Sequence, residues 1–187
     1  MPERRRSRGH TLAELMAVCA VIAIAAAVAL PTAQPVAEAR ADAAAGEVVQ
    51  ALRFARQEAM RSGAYRMLRC DAARNEISVY VPDAGGAPAT MLKHPLSKMD
   101  YTVKLSQAPA GSNIALIACS FQFADKTTAA AIAFDADGNP VHGISAGPGP
   151  APAPGPAQTL SSGTIVVGAG NVTRTVAIDL TGRITSS

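Results

Sequence analysis

The sequence predicts an α+β chain in which a long N-terminal hydrophobic helix precedes, and its continuation packs on, an antiparallel β domain. Three observations predict it. Residues from Leu15 to Leu30 are apolar throughout. Val48, Leu52, Ala55 and Ala59 then recur at helical spacing and give one apolar stripe. Beyond Gly63, runs such as Ile77-Ser78-Val79-Tyr80-Val81 alternate between apolar and polar residues and are separated by turn signals. The chain of 187 residues suits one modest domain with a terminal extension. With 4% aromatics and no Trp, its core has to be packed from Ala, Val, Ile and Leu.

The first stretch, residues 1–9, is a basic leader. Arg4, Arg5, Arg6 and Arg8 against Glu3 account for the whole net charge of +3, because the other 13 of 17 basic and 13 of 14 acidic residues balance. Whole-chain basicity is therefore no argument for nucleic acid. Residues 10–30 follow as a transmembrane helix. At about 1.5 Å per residue, the 21 residues from His10 to Leu30 span roughly 30 Å, the thickness of a bilayer core. The arginines stay cytoplasmic, which sends the C-terminal part outward.

Glu14 is the unusual residue of this helix. A carboxylate one turn inside a membrane helix costs about 3 kcal/mol unless something pairs with it. Cleavage after Gly9 would supply a partner, the new α-amine of His10 on the same chain or a neighbour. The helix N-terminus also favours a negative charge there. A secretory signal cut near Pro31-Thr32-Ala33, or a plain anchor, has no use for Glu14.

Gly9-His10-Thr11-Leu12-Ala13-Glu14-Leu15 resembles the class III signal of type IV pilins and type II secretion pseudopilins. The resemblance implies that prepilin peptidase cuts after Gly9 and methylates His10, and that Glu14 guides assembly. It also implies an inner-membrane protein with a periplasmic C-terminal domain and no cofactor. Its partners would be the peptidase, other subunits, the inner-membrane assembly platform and a secreted substrate. The family has Phe after the glycine, where this chain has His10.

Residues 31–63 are read as a helical continuation packing on the sheet. Pro31 and Pro35 predict a kink or break, a second helical stretch runs from about Val36 to Ser62, and Gly63 is its C-cap. Residues 64–187 form the β domain. Strands are expected at Ala64–Cys70 and Glu76–Val81, as a hairpin across Asp71–Asn75. Gly85–Pro88 reads as a loop. Further strands are expected at Tyr101–Leu105, Ile114–Ala118 and Ala129–Phe134. Asp135–Pro140 reads as a turn. Thr164–Val167 and Thr173–Leu180 form a closing hairpin. Residues 147–157, rich in Pro and Gly, form an extended loop that cannot join a ladder. Within the pilin-like group, Leu52–Gly63, Ile132–Asp135 with Gly138, and Thr181–Ile184 resemble the GspH/FimT family.

No pattern of catalytic chemistry is present. His10, His94 and His142 are far apart, and His142 is read as starting a strand. Asp135–Gly138 opens like a calcium loop but lacks the later ligands, so it reads as a turn and no metal is expected. Cys70 and Cys119 either pair, if the domain lies outside the cytoplasm, or stay as two buried thiols. A second functional reading comes from six arginines between Arg53 and Arg74, opposed by Glu58 and Asp71 alone. Some FimT-like minor pilins bind DNA in natural transformation. On that reading Arg53, Arg56, Arg174 and Arg183 are the phosphate contacts.

Overall fold

The computed structural model of the chain describes residues 11–29, 33–83, 86–107, 111, 113–142 and 158–187. The leader, Gly9, His10, Pro31 and the Pro-rich loop lie outside these residues. The chain divides into two compact units, Met1–Ala33 and Gln34–Ser187.

The first unit holds α1 (Leu12–Ala29). Thr11 caps it: its Oγ1 accepts a hydrogen bond from the Glu14 backbone N–H at 3.3 Å, satisfying one of the orphan donors of the first turn. All side chains from Leu12 to Ile24 are exposed, on every face of the helix. Among the described residues no helix is long and apolar enough to cross a membrane. The span expected for residues 10–30 has both its ends outside the described set.

The second unit takes in α2 (Ala33–Ser62) from its second residue onward. It starts earlier than the sequence suggested and runs through Pro35. The reason is local: in the first turn a backbone N–H has no helical partner, so the missing donor costs nothing. Ala41, Ala44, Val48, Ala51, Leu52, Ala55 and Ala59 are buried, extending the apolar stripe by two turns toward the N-terminus. The alanines let the helix lie close to the sheet. Gly63 ends the helix at φ 63°, and the Ala64 N–H closes back on the Ala59 carbonyl at 3.3 Å.

Eleven strands follow among the described residues: β1 (Arg66–Asp71), β2 (Glu76–Pro82), β3 (Pro88–Met91), β4 (Thr102–Lys104), β5 (Ile114–Phe123), β6 (Thr128–Ala129), β7 (Ala131–Phe134), β8 (Pro140–His142), β9 (Gln158–Ala169), β10 (Val172–Ile178) and β11 (Ile184–Ser186). The main path runs β11-β10-β9-β8-β7-β1-β2-β3, with β4 on β2, β5 on β9 and β6 on β5. β9 joins two layers. Its first two residues pair with β8, and the rest lies between β5 and β10.

Several elements differ from the sequence reading. Pro88 opens a strand rather than closing a loop. Pro140 likewise starts β8, and His142 ends that strand instead of starting one. β11 follows the hairpin expected to be last. β5 runs five residues past Ala118 because its pairing shifts between Leu116 and Ala118. Ile114 and Leu116 point inward before the shift, and Phe121 and Phe123 after it. One bulged residue moves the inward set from even to odd positions and hides the strand from a period-two pattern.

Two contacts tie the layers together. Cys70 of β1 and Cys119 of β5 form a disulfide, with Cα atoms 6.3 Å apart. Asn75, at φ 55° in the β1–β2 turn, places its side-chain amide on the edge of β5: it donates to the Ile114 carbonyl and accepts from the Leu116 N–H, both at 2.6 Å. The amide imitates a neighbouring strand and occupies an edge that would otherwise be open. Gly163 sits between Phe121 of β5 and Ile178 of β10. A Cβ there would lie 2.5 Å from the Ile178 side chain and 2.6 Å from the Phe121 ring, so only hydrogen fits.

Candidate functional site

Two regions carry the residues singled out by the sequence. The first is the start of α1. Thr11-Leu12-Ala13-Glu14 is the T-x-x-E pattern of a capping box, a signal the motif reading passed over. Glu14 therefore stands in the first turn of a capped helix, where the backbone dipole stabilises a carboxylate. Behind it come the exposed apolar side chains of Leu15, Met16, Val18, Val21, Ile22 and Ile24. A helix that is apolar on all faces needs a non-aqueous surrounding, from lipid or from other helices.

The second region lies in the β domain, where the last turns of α2 meet the C-terminal hairpin. It is built on one turn used twice. Asp135-Ala136-Asp137-Gly138-Asn139 joins β7 to β8, and Asp179-Leu180-Thr181-Gly182-Arg183 joins β10 to β11. In both, the Asp N–H donates to the carbonyl four residues on at 3.1 Å. In both, the Asp carboxylate accepts backbone N–H bonds from the residues two and four positions later. In both, the glycine has positive φ, 81° and 75°. The repeated Asp-x-x-Gly was visible in the sequence as two separate fragments. Asp135 spends its oxygens on its own turn, and among the described residues no group of three or more His, Cys, Asp or Glu could hold a metal. The Thr181 hydroxyl, with the backbone N–H groups of Arg183 and Thr181, holds the Asp179 carboxyl below its usual range.

Arg56 of α2 clamps the second turn and, with Met60, lies against Gly138 of the first. Its Nη1 donates to the Gly182 carbonyl at 2.9 Å and its Nη2 to the Thr181 carbonyl at 3.3 Å. A Cβ at Gly138 would meet Met60 at 2.9 Å, and one at Gly182 would meet Arg56 at 3.1 Å. The two glycines thus make room for the helix side chains beneath them. Arg53, Arg56, Gln57, Met60, Gly182, Arg183 and Ile184 line an open cavity of ≈ 300 Å³. Arg53, Arg56 and Met60 share one helix face by their i, i+3 and i+7 spacing.

The remaining arginines are dispersed. Arg174 does not join the group: it bonds Asp42, on α2 well before Arg53. Arg61 pairs with Glu58 at 2.8 Å and holds that carboxyl below its ordinary value. Arg74 pairs with Asp71. Arg66 is buried, and that burial pushes its guanidinium below the usual arginine value. Of the six arginines from Arg53 to Arg74, only Arg53 and Arg69 make no hydrogen bond or ion pair among the described residues. His94 caps its own hairpin, its Nδ1 accepting from the Leu96 and Ser97 N–H groups at 3.3 Å. His142 lies against the Phe123 ring at 4.4 Å.

Comparison with known proteins bears on both regions. The family model described as type II transport protein GspH matches residues 44–182. The prokaryotic N-terminal methylation motif matches residues 4–30. No curated protein matches significantly. Among solved structures, the chain is similar to the type IV minor pilin FimU of Pseudomonas aeruginosa PAO1, with 17% identity over 84% of this chain and 92% of that one and a TM-score of 0.47. It is also similar to the minor pseudopilin EpsH of the type 2 secretion system of Vibrio cholerae, with 14% identity over 79% and 96% and a TM-score of 0.48.

Proposed function

This chain belongs to the type II transport protein GspH family and carries a prokaryotic N-terminal methylation motif, and from that premise we propose that it is a minor pseudopilin or minor pilin subunit that works by assembly rather than catalysis. Prepilin peptidase cuts after Gly9, and the new N-terminus at His10 is methylated. The helix from His10 to Leu30 holds the precursor in the inner membrane with the β domain in the periplasm. It later leaves lipid for the core of an envelope filament. The single observation that carries this reading is α1 itself: apolar side chains exposed on all faces, preceded by one carboxylate in a capped first turn. Ordinary globular packing buries one stripe of a helix, as α2 does. A helix apolar all round has to exchange one non-aqueous surrounding for another, which is what transfer from bilayer to filament requires.

Glu14 supplies the register. In the filament it pairs with the α-amine of a neighbour's His10, so that each added subunit stops at one height. Formation of the pair removes the cost of leaving a carboxylate in an apolar medium. The Cys70–Cys119 disulfide fits an oxidising compartment, as the periplasm is. The test is recovery of the chain in the sheared filament fraction. It should co-fractionate with the other subunits in cells that have prepilin peptidase and stay in the membrane fraction in cells that lack it. Equal recovery in both strains would contradict the proposal.

A further inference from the structure

The cavity between the end of α2 and the second Asp-x-x-Gly turn has a composition that the assembly role of α1 does not use. Met60 and Ile184 contribute apolar lining, and Arg53, Arg56 and Arg183 contribute guanidinium groups. Arg56 is not free to bind a ligand through its terminal nitrogens, because both donate to carbonyls of the turn. Its Nε is buried without a partner among the described residues. Its positive charge nevertheless stays beside the cavity with no carboxylate paired to it. Arg53 and Arg183 are exposed, and neither side chain makes a hydrogen bond or ion pair among the described residues. Asp179, the acidic residue nearest Arg183 in the turn, is occupied by Thr181 and by backbone N–H groups.

We infer that this cavity is a docking site for an acidic peptide segment of another filament subunit, one carboxylate side chain lying between Arg53 and Arg183 and an adjoining aliphatic side chain on Met60 and Ile184. A guanidinium fork matches a carboxylate in plane and charge, and the apolar side chains of Met60 and Ile184 account for the neighbouring residue. The same charges suit a nucleic acid less well. Duplex affinity grows with the number of phosphates a protein neutralises, whereas two free guanidinium groups stand here and Arg174 is spent on Asp42. None of the lining residues is aromatic, so unpaired bases have nothing to stack on.

The choice of a protein partner rests on the filament-subunit reading, but the site can be tested without cleavage or assembly. The experiment is a calorimetric titration of the detergent-solubilised full chain at low salt with the synthetic peptide Ac-Ala-Leu-Glu-Glu-Leu-amide. The same peptide with Gln for Glu is the control, and a duplex DNA of twenty base pairs is the competing ligand. The acidic peptide should bind, the Gln peptide should bind about tenfold more weakly, and the Arg53→Gln/Arg183→Gln double variant should weaken binding of the acidic peptide by about the same factor, as expected for two exposed ion pairs. These residues are exposed and Gln keeps their stems, so the thermal midpoint should stay put. The Arg53→Glu/Arg183→Glu variant should reverse the preference and bind the Lys version of the peptide. Equal binding of the Gln peptide, an unchanged double variant, or tighter binding of the duplex with a steep salt dependence would each overturn the inference. Failure here leaves the processing of the N-terminus untouched, and failure of processing leaves the cavity untouched.

Discussion

Replacing Glu14 by Ala is expected to leave cleavage after Gly9 and membrane insertion intact while emptying the filament fraction of the chain. The two effects separate because they draw on different interactions. In the membrane, replacing a carboxylate by a methyl group adds no polar group to the apolar helix, so insertion does not suffer. In the filament, the same removal strands the neighbour's α-amine in an apolar core. Breaking a buried pair by removing one partner costs about 3–5 kcal/mol, which is more than a hundredfold in an association equilibrium. Thr11 complicates this, since in a T-x-x-E pattern the glutamate side chain is also expected to cap the helix by reaching back to the backbone N–H of the threonine. Glu14→Gln resolves the two. Glutamine serves as well as glutamate at the third position of a capping box but carries no charge. If pairing sets the register, Glu14→Gln fails to assemble as Glu14→Ala does. If Glu14→Gln is recovered from sheared filaments at the normal level, capping is the main role and the pairing mechanism is wrong.

The second large effect concerns the disulfide. Cys70 and Cys119 are 49 residues apart in sequence and join β1 to β5, strands that are not hydrogen-bonded neighbours. Closing a loop of 49 residues restricts the unfolded chain by about 4 kcal/mol on the chain-entropy account. For a domain of this size, each kcal/mol shifts the midpoint by about 2–4 °C. The Cys70→Ser/Cys119→Ser double variant should therefore unfold about 10 °C lower than the parent in a calorimetric scan. Adding a strong reductant to the parent should reproduce most of that loss and should not affect the variant. Equal midpoints with and without reductant would show that the layers are held by packing and by Asn75 alone.

How much of this was legible in the sequence depends on the range of the interactions involved. α1 and α2 were readable because their stripes and runs are local. Gly63 was readable because a helix end with positive φ has a residue preference of its own. The start of α2 was misplaced because a proline was treated as a breaker when it sat in the one turn that tolerates it. β5 was cut short because the bulge near Ile117 changes the phase of its alternation. The arginines show the deeper limit. A sequence gives their charge but not their acceptors. The partners of Arg56 are carbonyls 125 and 126 positions away, and that of Arg174 is Asp42, 132 positions away. Six arginines that look like one basic cluster are thus divided among two ion pairs, a turn clamp, a buried guanidinium and two free side chains. Asn75 looked like any turn residue, yet it seals the edge of a strand some forty positions on.

The central claim is that the N-terminal segment is a processed assembly helix, and the identity of the first residue tests it most directly. The chain should be purified from membranes of cells that contain prepilin peptidase, and its N-terminus determined by mass spectrometry. The account predicts a polypeptide that begins at His10. A polypeptide that begins at Gln34, as a cleaved secretory signal would leave, or one that still begins at Met1, would contradict it.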